Sequence, residues 1–85
     1  MIEAINETID VISLFDRGGK VVPLRFRWKN RSYHIARVVS DWMTKEGMFQ
    51  KLFFSVMVKN GADCFEVSYD TRLQQWQLIR IYLGG

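Results

Sequence analysis

Residues Lys51–Asp70, KLFFSVMVKNGADCFEVSYD, carry the clearest structural pattern in the chain. β-Branched and aromatic residues alternate with polar ones on either side of Asn60-Gly61, and this period of two is typical of strands. The Asn-Gly dipeptide tolerates positive φ at both positions, so it predicts a type I′ turn between two antiparallel strands. A two-residue turn sets Phe54 opposite Val67 and fixes the register of the remaining pairs. We therefore expect a hairpin with one core face and one face that is largely in water.

A second hairpin is predicted for residues 20–39, with its turn at Lys29-Asn30, because Asn readily adopts the left-handed conformation. A two-residue turn gives the first strand an apolar face, predicted to hold Val22, Leu24, Phe26 and Trp28. The opposite face collects Arg25, Arg27 and His34. Pro23 has no N–H group to donate, so this strand is expected to be an edge there or to begin its pairing just after it.

The flanking segments complete a chain of hairpins. We predict a strand over residues 8–15, a turn over 16–19 and a short irregular connection over 40–47. The final strand, over 75–83, has apolar residues on both faces, so it is either an interior strand or one with a face covered by another element or subunit. Residues 1–7 are predicted to be a flexible tail, with an N-terminal helix as the alternative because isoleucines recur there at helical spacing. The predicted fold is a single all-β domain over residues 8–83, an antiparallel meander of about six strands that forms a small barrel or half-barrel.

Length and composition agree with one small folded domain. The chain has 85 residues, of which 48 % are hydrophobic and 25 % charged, so a disordered chain is excluded. The uncharged apolar run Leu52–Val58 is far shorter than the roughly 20 residues of a membrane-spanning helix. No secretory signal is recognisable, and a single cysteine, Cys64, cannot form an internal disulfide. We therefore expect a soluble cytoplasmic protein.

Residues suited to catalysis are few. One histidine, one cysteine and no cluster of either with carboxylates supply neither a metal-ligand set nor a nucleophile with its base. We expect no enzymatic activity, no catalytic residue, no cofactor and no metal.

The charges are divided along the chain, whose net charge is +3. Residues 1–16 hold acidic residues and no basic one, whereas residues 17–40 hold basic residues and no acidic one. A local basic block is typical of a surface that binds an anionic partner, and nucleic acid or another polyanion is the first hypothesis. The candidate nucleic-acid-binding residues are Arg25, Arg27, Lys29, Arg31 and His34. The structural alternative is that these charges only protect a strand edge from self-pairing.

The second functional hypothesis is a protein-interaction or homodimerising domain. It rests on the apolar strand Leu52–Val58, on the two-sided final strand and on the tryptophans. The candidate partner-interface residues are Trp28, Trp42 and Trp76.

The run PLRFRWKNRSYHI over residues 23–35, with Trp42 after it, is similar to the pattern Pro-x-x-Phe-x-Trp-x-Gly-Arg-x-Tyr-x-Val…Trp. In this run the sequence resembles a family of small uncharacterised bacterial all-β domains. The runs FEVSYD at 65–70 and QWQLIR at 75–80 resemble its closing strands, so the similarity covers about residues 8–82. Asn30 stands where the family usually has a turn glycine. Some relatives are encoded near Y-family translesion polymerase-like proteins, so the resemblance implies a stand-alone β-domain in a DNA-related context and no catalytic residue.

Overall fold

The computed structural model describes residues 1–84, which form six antiparallel strands closed into a barrel in the order β1-β2-β3-β4-β5-β6. The strands are β1 (Ile2–Phe15), β2 (Val21–Trp28), β3 (Arg31–Glu46), β4 (Phe49–Val58), β5 (Cys64–Asp70) and β6 (Gln75–Tyr82). Each strand pairs with its neighbour in sequence, and β6 pairs with β1 to close the barrel. The all-β meander predicted from the sequence is confirmed, and it forms a full barrel. Residues 1–84 contain no helix that could cross a membrane.

The barrel core is built from the alternating apolar residues of the strands. Its buried members are Ile9, Val21, Phe26, Phe54, Val56, Val58, Phe65, Val67, Trp76, Leu78 and Ile81. Val56, Val67 and Leu78 are completely buried, and they lie on the three successive strands β4, β5 and β6. Burial of this apolar surface is the main favourable contribution to folding.

The β4–β5 hairpin has the predicted register, but its turn differs from the prediction. Phe54 lies opposite Val67, and the pairing runs from Lys51 with Asp70 to Met57 with Cys64. Asn60 is left-handed, with a φ of 61°, whereas Gly61 is not, so the prediction of a type I′ turn was wrong. A longer connection over residues 59–63 keeps the register because the apolar faces of both strands must still meet the core.

The β2–β3 hairpin has the two-residue turn that the sequence predicts. Lys29 and Asn30 are both left-handed, with φ values of 51° and 60°, as a type I′ turn requires. Pairing with β3 covers only Arg25 to Trp28, so it begins after Pro23 as predicted.

The predicted core face of β2 is only partly correct. Leu24 is an extra residue in the pairing with β1, because Ile12 lies opposite Arg25 and Ser13 opposite Pro23. This bulge reverses the alternation, so Val21 and Pro23 are buried whereas Leu24 is exposed and Val22 half-buried.

Two further segments were predicted wrongly. Residues 2–7 were expected to be a flexible tail or a helix, yet they belong to β1 and pair with β6. Residues 40–46 were expected to be an irregular connection, yet they extend β3 and pair with β4 up to Glu46 and Phe49. Both segments have weak strand patterns of their own, and neighbouring strands supply the backbone hydrogen bonds that order them.

The last strand, β6, lies between β5 and β1, as its two-sided apolar pattern predicts. Ile79 is an extra residue in its pairing with β5, because Glu66 lies opposite Arg80 and Val67 opposite Leu78. The bulge explains why the buried residues of β6 do not keep a strict period of two.

Candidate nucleic-acid interface

The candidate site begins with the tip of the β2–β3 hairpin. The tight Lys29-Asn30 turn sets Trp28 directly opposite Arg31. The Nζ atom of Lys29 lies 4.8 Å from the centre of the Trp28 ring. The Cζ atom of Arg31 lies 5.6 Å from the centre of the Tyr33 ring. Two cations and two aromatic rings therefore meet at one end of the barrel.

The aromatic rings at this end continue into the core. Tyr33 stacks on Phe26 with ring centres 5.0 Å apart and planes inclined by 12°. Phe65 of β5 contacts both rings, at 5.2 Å from Tyr33 and 5.3 Å from Phe26. Phe26 and Phe65 are buried, so Tyr33 is anchored to the core by two rings, and Arg31 also lies near its ring. The Trp28 ring is tied to β1, since its Nε1 donates a hydrogen bond of 3.4 Å to Oε1 of Glu7.

A broad groove of about 630 Å³ opens beside these rings. One wall comes from the β2–β3 hairpin, and the other from the β4–β5 turn, with Lys59, Asn60 and Asp63. The two walls are joined where the backbone N–H of Lys59 donates to the carbonyl oxygen of His34 over 2.8 Å. The basic residues of the lining are Lys29, Arg31 and Lys59 together with His34, and the acidic ones are Glu3 and Asp63. The groove thus combines aromatic rings with the charged ends of long lysine and arginine side chains.

The five predicted site residues fall into two groups. Lys29 and Arg31 lie with the aromatic rings, and His34 also lines the groove. Arg25 and Arg27 point to the other face of the hairpin, where they line a smaller groove of about 260 Å³ beside Asp10 of β1. The sequence register therefore predicted correctly that Arg25 and Arg27 are separated from the aromatic face.

The three predicted interface tryptophans have three different environments. Trp28 is half-buried at the groove described above. Trp42 is 42 % exposed and stacks on Phe53, with ring centres 5.5 Å apart. Trp76 is only 7 % exposed and packs between Phe54 and Tyr69 in the core, so its assignment to a partner interface was wrong. Trp76 and Leu78 both precede the bulge at Ile79, so they lie two residues apart on the same core face.

The strands offered for a partner interface are also engaged within the barrel. β4 pairs with β3 and β5 along its length, and β6 pairs with β5 and β1. The apolar face of Leu52–Val58 is directed to the core through Phe54, Val56 and Val58. That face is therefore not accessible to a partner, and a protein-interaction role for the domain stays a prediction.

Sequence reasoning missed Lys59 and Phe65 as members of the site. They belong to the β4–β5 hairpin, about thirty residues away from the β2–β3 turn in sequence. No local sequence pattern indicates that the β4–β5 turn lies beside the β2–β3 turn. This proximity depends on the pairing of β3 with β2 along one edge and with β4 along the other. A lysine next to an Asn-Gly turn is the one available signal, and solvated lysines at turns are common.

Residues 1–82 match the model of a family described as "Domain of unknown function (DUF6504)". No curated protein and no solved structure matches the chain.

Proposed function

The chain belongs to the family of domains of unknown function DUF6504, and we propose that it is a non-enzymatic, cytoplasmic domain that binds single-stranded nucleic acid. The ligand would lie in the groove formed by the β2–β3 hairpin and the β4–β5 turn. The DNA-related context that the sequence resemblance implies would agree with such a ligand.

The observation that carries the proposal is the position of Lys29 over Trp28 and of Arg31 over Tyr33. Proteins that bind single strands with little sequence preference combine positive charges for the phosphates with aromatic rings on which bases stack. Both elements occur here within one groove of about 630 Å³.

In the free protein the cations cover the ring faces that a base would use. Leaving a ring costs an exposed cation about 0.5–1 kcal/mol of cation–π attraction. Stacking a base on the ring contributes about 1–3 kcal/mol, and the released cation gains a phosphate contact. The exchange is therefore favourable, and Lys29 and Arg31 act by moving from the rings to the phosphates.

The test is a titration of fluorescently labelled oligonucleotides, single- and double-stranded, DNA and RNA, followed by anisotropy at several salt concentrations. Three groove cations, Lys29, Arg31 and Lys59, predict that log K falls with log salt with a slope of about −2 for a single strand. The double variant Lys29→Ala/Arg31→Ala should weaken binding and bring the slope to about −0.7.

The matched control is Arg25→Ala/Arg27→Ala, which removes the same charge from the same hairpin on its other face. We expect this variant to keep most of the affinity. Equal losses in both double variants would indicate attraction by net charge alone and would contradict the groove. Absence of binding at low salt would refute the proposal. Binding of heparin but of no oligonucleotide would replace nucleic acid by another polyanion.

A further inference from the structure

One edge of β3 has no neighbour within the described residues. β3 pairs with β2 only through Arg31–His34, whereas its pairing with β4 continues to Glu46. Beyond His34 the strands β2 and β3 therefore diverge, and the side of β3 away from β4 faces no other strand. The N–H and C=O groups on such an edge are a template for another strand.

The part of this edge that is regular is Ser40–Glu46. The pairing of β3 with β4 is irregular at Ala36 and at Val39, and from Ser40 to Glu46 it runs residue by residue. All seven residues are exposed. Bulges and prolines that protect edges in other proteins do not interrupt this segment. It is therefore able to accept a strand along its whole length.

An apolar surface accompanies the edge. Trp42 and Met43 are 42 % and 46 % exposed, which is high for large apolar side chains in a regular strand. Beside them a groove of about 270 Å³ lies between this segment and the start of β2, with the half-buried Leu52 and Phe53 in its lining. A strand added here would cover apolar surface as well as satisfy backbone groups.

We propose that this edge pairs with the same edge of a second copy, so that the protein forms a two-fold symmetric dimer through antiparallel Ser40–Glu46 segments. Full overlap of the two seven-residue segments has one register, in which Met43 lies opposite Met43 of the second copy. In that register Asp41 lies opposite Lys45 of the second copy, and by symmetry the pair occurs twice.

Charge complementarity is the reason to choose a second copy as the occupant. Opposite charges directly across an antiparallel pair stabilise it, and like charges destabilise it. Asp41 and Lys45 meet this condition at both symmetric positions of the dimer. The segment is thus complementary to itself in the register that also gives the most backbone pairing. This dimer does not depend on the proposed nucleic-acid groove, because no residue lines both grooves.

The test is the oligomeric state, measured by analytical ultracentrifugation over a range of concentrations, with charge-reversed variants. Asp41→Lys and Lys45→Asp each place like charges opposite one another at two symmetric positions, so each should raise the dimer Kd by about tenfold or more. The double variant Asp41→Lys/Lys45→Asp exchanges the charges and should restore the dimer. A wild-type protein that stays monomeric at millimolar concentration refutes the proposal, as does a double variant no better than the single ones.

Disulfide trapping checks the register itself. In a background with Cys64→Ala, the variant Met43→Cys places two cysteines opposite each other at the symmetry axis, and mild oxidation should cross-link the dimer. Thr44→Cys is the matched control, because Thr44 lies opposite Trp42 of the second copy in this register. Cross-linking of Thr44→Cys in preference to Met43→Cys would contradict the arrangement.

Discussion

The conformation of Lys29 leads to a prediction in which fold stability and ligand binding change independently. Lys29 has a φ of 51°, in the left-handed region that costs a residue with a Cβ atom about 1–2 kcal/mol. Asn and Gly adopt this region more readily than Lys or Ala. In Lys29→Ala the charge and the contact with the Trp28 ring are lost while the backbone strain remains. In Lys29→Gly and Lys29→Asn the same interactions are lost and the strain is relieved.

The comparison among these variants isolates the strain. Glycine relieves the strain, but it also makes the unfolded chain more flexible, which lowers the stability by about 0.4–1 kcal/mol. The difference leaves Lys29→Gly more stable than Lys29→Ala by about 1 kcal/mol. For a domain of this size that difference corresponds to about 4–8 °C in Tm. Thermal unfolding followed by circular dichroism, with urea denaturation as a second measurement, tests this order.

Oligonucleotide binding should not depend on the backbone strain at Lys29. All three variants lack the Lys29 ammonium group, so we expect all three to weaken oligonucleotide binding to a similar extent, whatever their stability. A Lys29→Gly protein that unfolds at or below the Tm of Lys29→Ala would refute the strain argument. Wild-type affinity in Lys29→Asn would remove Lys29 from the proposed site while leaving the turn geometry intact.

Two further predictions concern the fold. Trp76→Ala should lower the free energy of unfolding by about 3–5 kcal/mol because a buried aromatic ring is removed, whereas Trp42→Ala, at an exposed position, should lower it by about 1 kcal/mol or less. Chemical denaturation of both variants measures this contrast, and equal losses would contradict the assignment of Trp76 alone to the core. Gly47→Ala should lower the free energy of unfolding by about 1 kcal/mol because Gly47 has a φ of +63°, whereas Gly18→Ala should be nearly neutral because Gly18 does not have a positive φ. A Gly47→Ala protein as stable as wild type would show that the β3–β4 turn can change its conformation without cost.

The two central hairpins show which parts of the fold are readable from the sequence. The register of β4 with β5 follows from its alternating apolar residues, and it holds although the turn at Asn60 is not the predicted one. The register of β2 with β3 follows from the Lys29-Asn30 turn. Apolar pattern and turn chemistry are therefore independent sources of register, and either one is sufficient.

The errors of sequence reasoning are concentrated where a strand changes direction or lacks a pattern of its own. The bulges at Leu24 and Ile79 each reverse the alternation of apolar residues, which a strict period of two cannot anticipate. The beginning of β1 and the end of β3 have mostly exposed side chains, so their sequence contains little hydrophobic signal. Their strand conformation comes from the backbone hydrogen bonds offered by β6 and β4.

The candidate site has the same division. Residue order alone predicts an antiparallel all-β domain with Phe26 and Tyr33 on one face of a basic hairpin, because these features depend on neighbours a few residues apart. The same local pattern places Arg25 and Arg27 on the other face. The groove where Lys59 and Phe65 join Trp28 and Tyr33, and the unpaired edge of β3 beyond β2, exist only in the folded barrel. Closure of the barrel brings together residues distant in sequence, and the curvature that closes it is set by bulges and by the packing of all six strands.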